Sequence, residues 1–140
     1  MSGWAWLRIG AISGFLSVAL GAFGAHSLRD RHKVEESDSF ALRTTKLRTM
    51  ENFETAARYQ MYHALAIGAV ALLAIHGKTG GAVTVAGWGF LIGTILFSGS
   101  LYVLVLTGQR WLGAITPLGG LGFLVGWLAL AVAASNPSRP

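Results

Sequence analysis

The chain has 140 residues, 53% of them hydrophobic and 12% charged, with a mean hydropathy of +0.54 and a formal net charge of +5. That balance leaves too little polar surface for a water-soluble domain and points to one small integral membrane bundle. The absence of cysteine excludes disulfides, thiolate zinc sites and iron-sulfur clusters, and no basic face with interleaved aromatics suggests nucleic acid.

Four stretches, 9–28, 59–77, 79–109 and 111–138, contain no Asp, Glu, Lys or Arg, and each is about long enough to cross a bilayer as a helix. The first span is expected over about 4–28, with Arg8 near enough to its start to snorkel toward headgroups. It has the outline of a signal peptide, yet it is long and no Ala-x-Ala site follows, so it is expected to remain uncleaved. Residues 29–48 mix both charge signs with Ser and Thr and read as a solvated polar loop. Thr49 then caps a helix whose first turn carries Glu51 and Glu54 and which runs from about Met50 to His76, with the membrane portion at 58–76. Its first two turns project from the membrane, and Leu47, Met50, Phe53 and Ala57 share a face suited to packing over the bundle mouth.

The third and fourth spans are expected at 82–107 and 111–134, joined through tight connections at His76–Gly81 and Thr107–Arg110. Short links make consecutive helices antiparallel neighbours, so the expected fold is all-α, a four-helix up-down-up-down membrane bundle. Lys and Arg set its orientation. One side holds Arg29, Arg31, Lys33, Arg43, Lys46, Arg48, Arg58 and Arg110, against Arg8, Lys78 and Arg139 on the other, which puts both termini outside the cytoplasm in a plasma (bacterial inner) membrane. Small residues repeat along the spans at Gly10, Gly14, Ser17, Gly21 and Gly24, at Gly89, Gly93 and Ser100, and at Gly119, Gly122, Gly126 and Ala133. Such seams permit close helix packing within the bundle, or against a second copy or another membrane subunit.

Polar residues inside the spans gather where this threading brings four helix ends to one membrane face. His26 comes from span one, Arg58, Tyr59, Gln60, Tyr62 and His63 from span two, Ser98, Ser100 and Tyr102 from span three, and Arg110 and Thr116 from the start of span four. Tyr59 and His63, four residues apart, share a helical face. Three uses fit the cluster: a structural hydrogen-bond network, a pocket for a lipid headgroup, quinone or other small ligand, and bis-histidine haem ligation by His26 and His63. The first is the most economical, and no cofactor is required by it. No acidic residue lies inside a span, which argues against proton-coupled transport, and no polar stripe runs through the bundle as a channel requires. The serines and histidines lack an acidic orienting partner at membrane depth, and no metal-ligand spacing is present. The protein is therefore expected not to be an enzyme.

Four ordered motifs carry a family resemblance: Gly21-Ala22-Phe23-Gly24-Ala25-His26, Ala57-Arg58-Tyr59-Gln60-Met61-Tyr62-His63-Ala64-Leu65-Ala66, Leu96-Phe97-Ser98-Gly99-Ser100-Leu101-Tyr102, and Arg110-Trp111-Leu112-Gly113-Ala114-Ile115-Thr116-Pro117-Leu118-Gly119-Gly120. Together they resemble the domain of unknown function 423 family, which takes in small transmembrane protein 256-like chains. Ser27 stands where that pattern usually has Gly, and residues 29–48 make a longer connection than is typical. The resemblance implies a four-span membrane protein of unestablished role, with no catalytic residues to transfer. The expected role is an accessory or assembly protein of a membrane complex, with lipid, a partner subunit or a second copy as partners; the alternative is a binding protein for a lipid, quinone or similar ligand at the polar cluster.

Overall fold

The computed structural model describes residues 1–135, and among them it contains four long helices and no strand. Helix α1 spans Gly3–Arg31, α2 Phe40–Ile75, α3 Gly81–Thr107 and α4 Thr116–Ser135, the last entered through a 3₁₀ turn at Arg110–Ala114. The protein is thus all-α. Three helical segments are long and apolar enough to cross a membrane, namely α1, α3 and Arg110–Ser135, which contains α4. Helix α2 is the longest at 36 residues, about 54 Å, but its uncharged part begins only at Tyr59 and opens with Tyr, Gln and His side chains.

Local chemistry sets the ends. Ser2 and Ser39 cap α1 and α2, their hydroxyls accepting from the backbone N–H of Ala5 at 3.2 Å and Leu42 at 3.3 Å. Gly108, at φ +72°, closes α3 in the left-handed conformation and donates its N–H to Leu104 O at 2.8 Å. From the α2–α3 connection, the Lys78 ammonium donates to the carbonyls of Ala133 and Ala134 at the end of α4, satisfying acceptors that the helix itself cannot.

The connection between α1 and α2 differs from the sequence expectation. Helix α1 continues to Arg31 and α2 begins at Phe40, so only residues 32–39 are non-helical, where a loop over 29–48 and a cap at Thr49 were expected. The threonines of the expected loop, Thr44 and Thr45, and the expected cap, Thr49, are absorbed by the helix: each hydroxyl donates to the carbonyl four residues earlier. The short connection is also tied down. Asp38 accepts from the Glu35 N–H and the Lys46 ammonium, each at 2.8 Å, Lys46 also reaches Lys33 O, and Arg43 donates to the carbonyls of Asp38 and Glu36. The Glu35 N–H and then Lys46 hold the Asp38 carboxyl below the usual carboxylate range. Of the face expected to cover the bundle mouth, Phe53 is buried while Leu47 is exposed.

Contacts between helices run in opposite chain order. Along α1 and α2, Gly3 lies against Ala71 and Ile75, Gly10 against Ala64 and Gly68, and Gly24 against Phe53, while the Ser17 hydroxyl donates to Ala57 O at 2.8 Å. Between α2 and α3, Phe53 meets Tyr102 at 5.0 Å, Tyr59 meets Phe97 at 4.7 Å and His63 meets Phe90 at 5.7 Å. Helices α3 and α4 approach backbone to backbone: a methyl group at Gly89 would lie 2.9 Å from Gly126 Cα and 3.0 Å from Gly122 O. Large rings elsewhere rest directly on glycines, Trp6 on Gly87, Phe53 on Gly24, Phe90 on Gly126 and Phe123 on Gly93. The core that results joins Trp6 of α1, Ile67, Val70 and Ala71 of α2, Ala86 and Phe90 of α3 and Phe123 of α4.

The glycine contacts make a graded prediction. Gly93→Val, whose Cβ would lie 2.6 Å from the Phe123 ring and 3.0 Å from Gly119 O, should lower unfolding stability in detergent by about 1–3 kcal/mol. Gly21→Ala, which meets nothing within 4 Å, should leave it unchanged or slightly raised. Equal effects of the two changes in a denaturant titration would contradict the packing described.

Candidate functional site

The polar residues singled out from sequence separate into three groups in the structure. The first is a buried bridge across three helices. Gln60 on α2 donates from Nε2 to Ser13 O on α1 at 3.2 Å and accepts at Oε1 from the Tyr102 hydroxyl on α3 at 2.8 Å. A single amide thus satisfies a phenol that would otherwise be stranded among apolar groups. The second group couples α3 to α4: the Ser100 and Thr116 hydroxyls lie 2.9 Å apart, so one donates to the other, and the accepting hydroxyl is left to donate to a nearby carbonyl, Phe97 O for Ser100 or Leu112 O for Thr116.

The third group lines a groove. His63, only 4% exposed, places Nδ1 2.8 Å from Tyr59 O, while Nε2 lies 3.3 Å from the Trp127 indole nitrogen. A carbonyl can only accept and an indole N–H can only donate, so the ring is the Nδ1–H tautomer with both nitrogens engaged. The imidazole lies flat on Phe123, with centroids 3.3 Å apart and planes 2° from parallel. Tyr59 stacks on Phe97 at 25° to it and lies 28° from Phe123, so a ring of α2 stands between rings of α3 and α4 that are themselves tilted by 50°. Beside them opens a groove of about 660 Å³, completed by Tyr62, Pro117, Gly120, Leu121 and Leu124.

Other expected members fall outside these groups. Arg58 and Arg110 are exposed and line no part of the groove. Ser98, in a π-helical turn over Ile95–Gly99 of α3, is 1% exposed and its hydroxyl has no hydrogen-bond partner among the described residues. His26 is exposed and lies in a second π turn, Gly24–Leu28. The expectation that His26 and His63 share a depth is not met. Gly14 packs near Met61 and Ala64, which puts His63 level with that part of α1, and His26 lies twelve residues or about 18 Å farther along. With its ring nitrogens also engaged, His63 is not arranged as one half of a haem-ligating pair.

Three contributors were not legible as site residues. Trp127 was overlooked because its apolar bulk hid a donor that fixes the His63 tautomer, and Phe123 because nothing in its sequence context distinguishes a stacking ring from a core ring. Ser13 enters through its backbone carbonyl, a group every residue possesses. The bridge yields a test: Tyr102→Phe strands the Gln60 carbonyl and should lower stability by about 1 kcal/mol, and pairing it with Gln60→Leu should reveal a coupling of about 0.5–1.5 kcal/mol. Additive losses in that double-mutant cycle would show that the two side chains do not interact.

Comparison with known proteins places the chain among membrane proteins. A family profile described as "Protein of unknown function (DUF423)" matches residues 20–120. The UPF0382 membrane protein YwdK of Bacillus subtilis is 44% identical over 126 residues, 90% of this chain and 92% of that protein. A UPF0382 membrane protein of Staphylococcus epidermidis is 44% identical over 89% of this chain and 90% of its own length, and one of Haemophilus influenzae is 40% identical over 90% of each. No solved structure matches.

Proposed function

The chain belongs to the DUF423 family of membrane proteins of unknown function, and from that premise we propose that it is a non-enzymatic accessory or assembly protein of a membrane complex. In this reading all four helices cross the bilayer in up-down-up-down order, with α2 held at membrane depth by its neighbours despite its polar entry. The membrane is the plasma (bacterial inner) membrane and both termini face away from the cytoplasm, in keeping with the eight Lys and Arg residues on the other side.

One observation carries the accessory role. Along the outer seam of α1 and α2 runs an apolar groove of about 680 Å³, floored by small residues including Gly10, Gly14, Ala64 and Gly68. It extends from Leu7 to Val18 on α1, about 17 Å or three helical turns. Apolar side chains gain nothing by leaving lipid for protein, so helices associate in membranes where small residues let backbones approach. A small-residue channel of this length fits an apolar transmembrane helix of a partner subunit. A second reading, binding of a lipid-soluble ligand, is favoured by the aromatic groove at His63.

Gly68→Leu fills the first groove while meeting nothing within 4 Å at its Cβ. The variant should fold normally, and a photo-crosslinker at position 65 in native membranes should lose a discrete partner adduct present in the parent protein. Adducts of unchanged pattern would sink the accessory reading, and adducts solely between copies of this chain would replace it with a homo-oligomer. Orientation is open to cysteine labelling in this cysteine-free chain. Ser37→Cys should react only with reagent reaching the cytoplasmic side and Ser2→Cys only from outside; the opposite pattern would reverse the topology.

A further inference from the structure

We propose that the groove lined by Tyr59, Tyr62, His63, Phe97, Phe123 and Trp127 binds a flat, carbonyl-bearing ring with a hydrocarbon tail, the chemistry of a membrane quinone. The inference rests on the ligand reading above and names the ligand class for that site. The volume, about 660 Å³, is within the range of small-molecule pockets and opens sideways between α2 and α4. Its walls favour a planar guest. The Tyr59 ring lies within about 30° of Phe97, Phe123 and His63, and His63 is parallel to Phe123, whereas Phe97 and Phe123 are 50° apart; a ring entering beside Tyr59 and the His63–Phe123 pair can continue that stack at normal spacing. Gly120 lines the same groove with nothing within 4 Å of where a Cβ would stand, which leaves the flank open.

The polar atoms available fix the rest. His63 cannot recognise a ligand through its nitrogens, since Tyr59 O and the Trp127 indole already engage them. The Tyr59 and Tyr62 hydroxyls, by contrast, make no hydrogen bond with any residue from 1 to 135, although their rings lie 5.9 Å apart at the groove. Two phenols without partners at the edge of an apolar slot call for a ligand with acceptors and otherwise no charge. A phospholipid ester offers the same carbonyl but no flat ring to lie against Tyr59 and Phe123, so the experiment has to separate the two.

The test uses the full-length protein in nanodiscs and follows tryptophan fluorescence during addition of decyl-benzoquinone. Quenching should saturate, weaken about tenfold in the Tyr59→Phe/Tyr62→Phe double variant, and vanish in Gly120→Leu, while decylbenzene, which lacks carbonyls, should not compete. Both variants keep the helix-packing residues, and circular dichroism melts check that they fold. Non-saturable quenching, or equal affinity in all three proteins, would overturn the proposal. So would native mass spectrometry that found a phospholipid retained by the parent and lost in Gly120→Leu without displacement by the quinone; in that outcome the ligand reading stands and only the quinone assignment falls. Absence of any adduct sensitive to Gly120→Leu would remove both.

Discussion

Hydrocarbon offers a polar group no water to turn to, and the interior of this protein is organised around that constraint. Gln60 is its centre. One amide answers a carbonyl of α1 and a phenol of α3 at once, which positions three helices relative to each other without any charged side chain. Ser17 with Ala57 and Ser100 with Thr116 repeat the arrangement between single pairs of helices. Each of these links is modest in energy, since polar groups in the unfolded chain also find partners within the membrane. Their value lies in direction, because a hydrogen bond distinguishes one rotation of a helix from another whereas contact between leucines does not.

Shape fixes what the bonds leave free. The bundle matches its large buried rings to positions with no side chain at all: Trp6 on Gly87, Phe53 on Gly24, Phe123 on Gly93, Phe90 on Gly126. A ring seated in such a socket resists both sliding and rotation, so packing enthalpy takes over the role that water exclusion has in a soluble core. The same habit explains why His63 is so nearly parallel to Phe123. The ring has one available slot, and its two hydrogen bonds hold it there.

The three helical segments long and apolar enough to cross a membrane, α1, α3 and the one containing α4, were legible in the sequence because runs without charge are a strong and simple signal in a chain of this composition, although α1 runs three residues past its expected end and α4 begins five residues late. The beginning of α2 was not. Thr44, Thr45 and Thr49 are counted as loop formers by propensity, yet inside a helix each can return its hydroxyl to its own backbone, and the Ser39 cap starts the helix ten residues before Thr49. Ranking residues by polarity picked out Gln60, His63 and Tyr102, whose side chains hydrogen-bond in the bundle, but it could not say with which partner. That information sits in backbone carbonyls and in an indole N–H, which polarity ranking does not register. Ser13 and Trp127 were invisible for this reason, Phe123 because a stacking ring and a core ring look alike in sequence, and His26 was drawn in by residue type though it is exposed and lies farther along α1.

The unequal lengths of the helices give the molecule two very different ends. Around Gly77 and Gly80 the chain turns back within a handful of residues, flush with the helix ends it joins. At the other end α2 runs on past Arg58 toward Phe40 beside the end of α1 and is braced by the Asp38, Lys46 and Arg43 contacts, so an ordered stub carrying charges of both signs extends the bundle. Among residues 1–135, anything that approaches from the aqueous phase, whether antibody, protease or soluble domain, therefore finds far more purchase at this end than at the other.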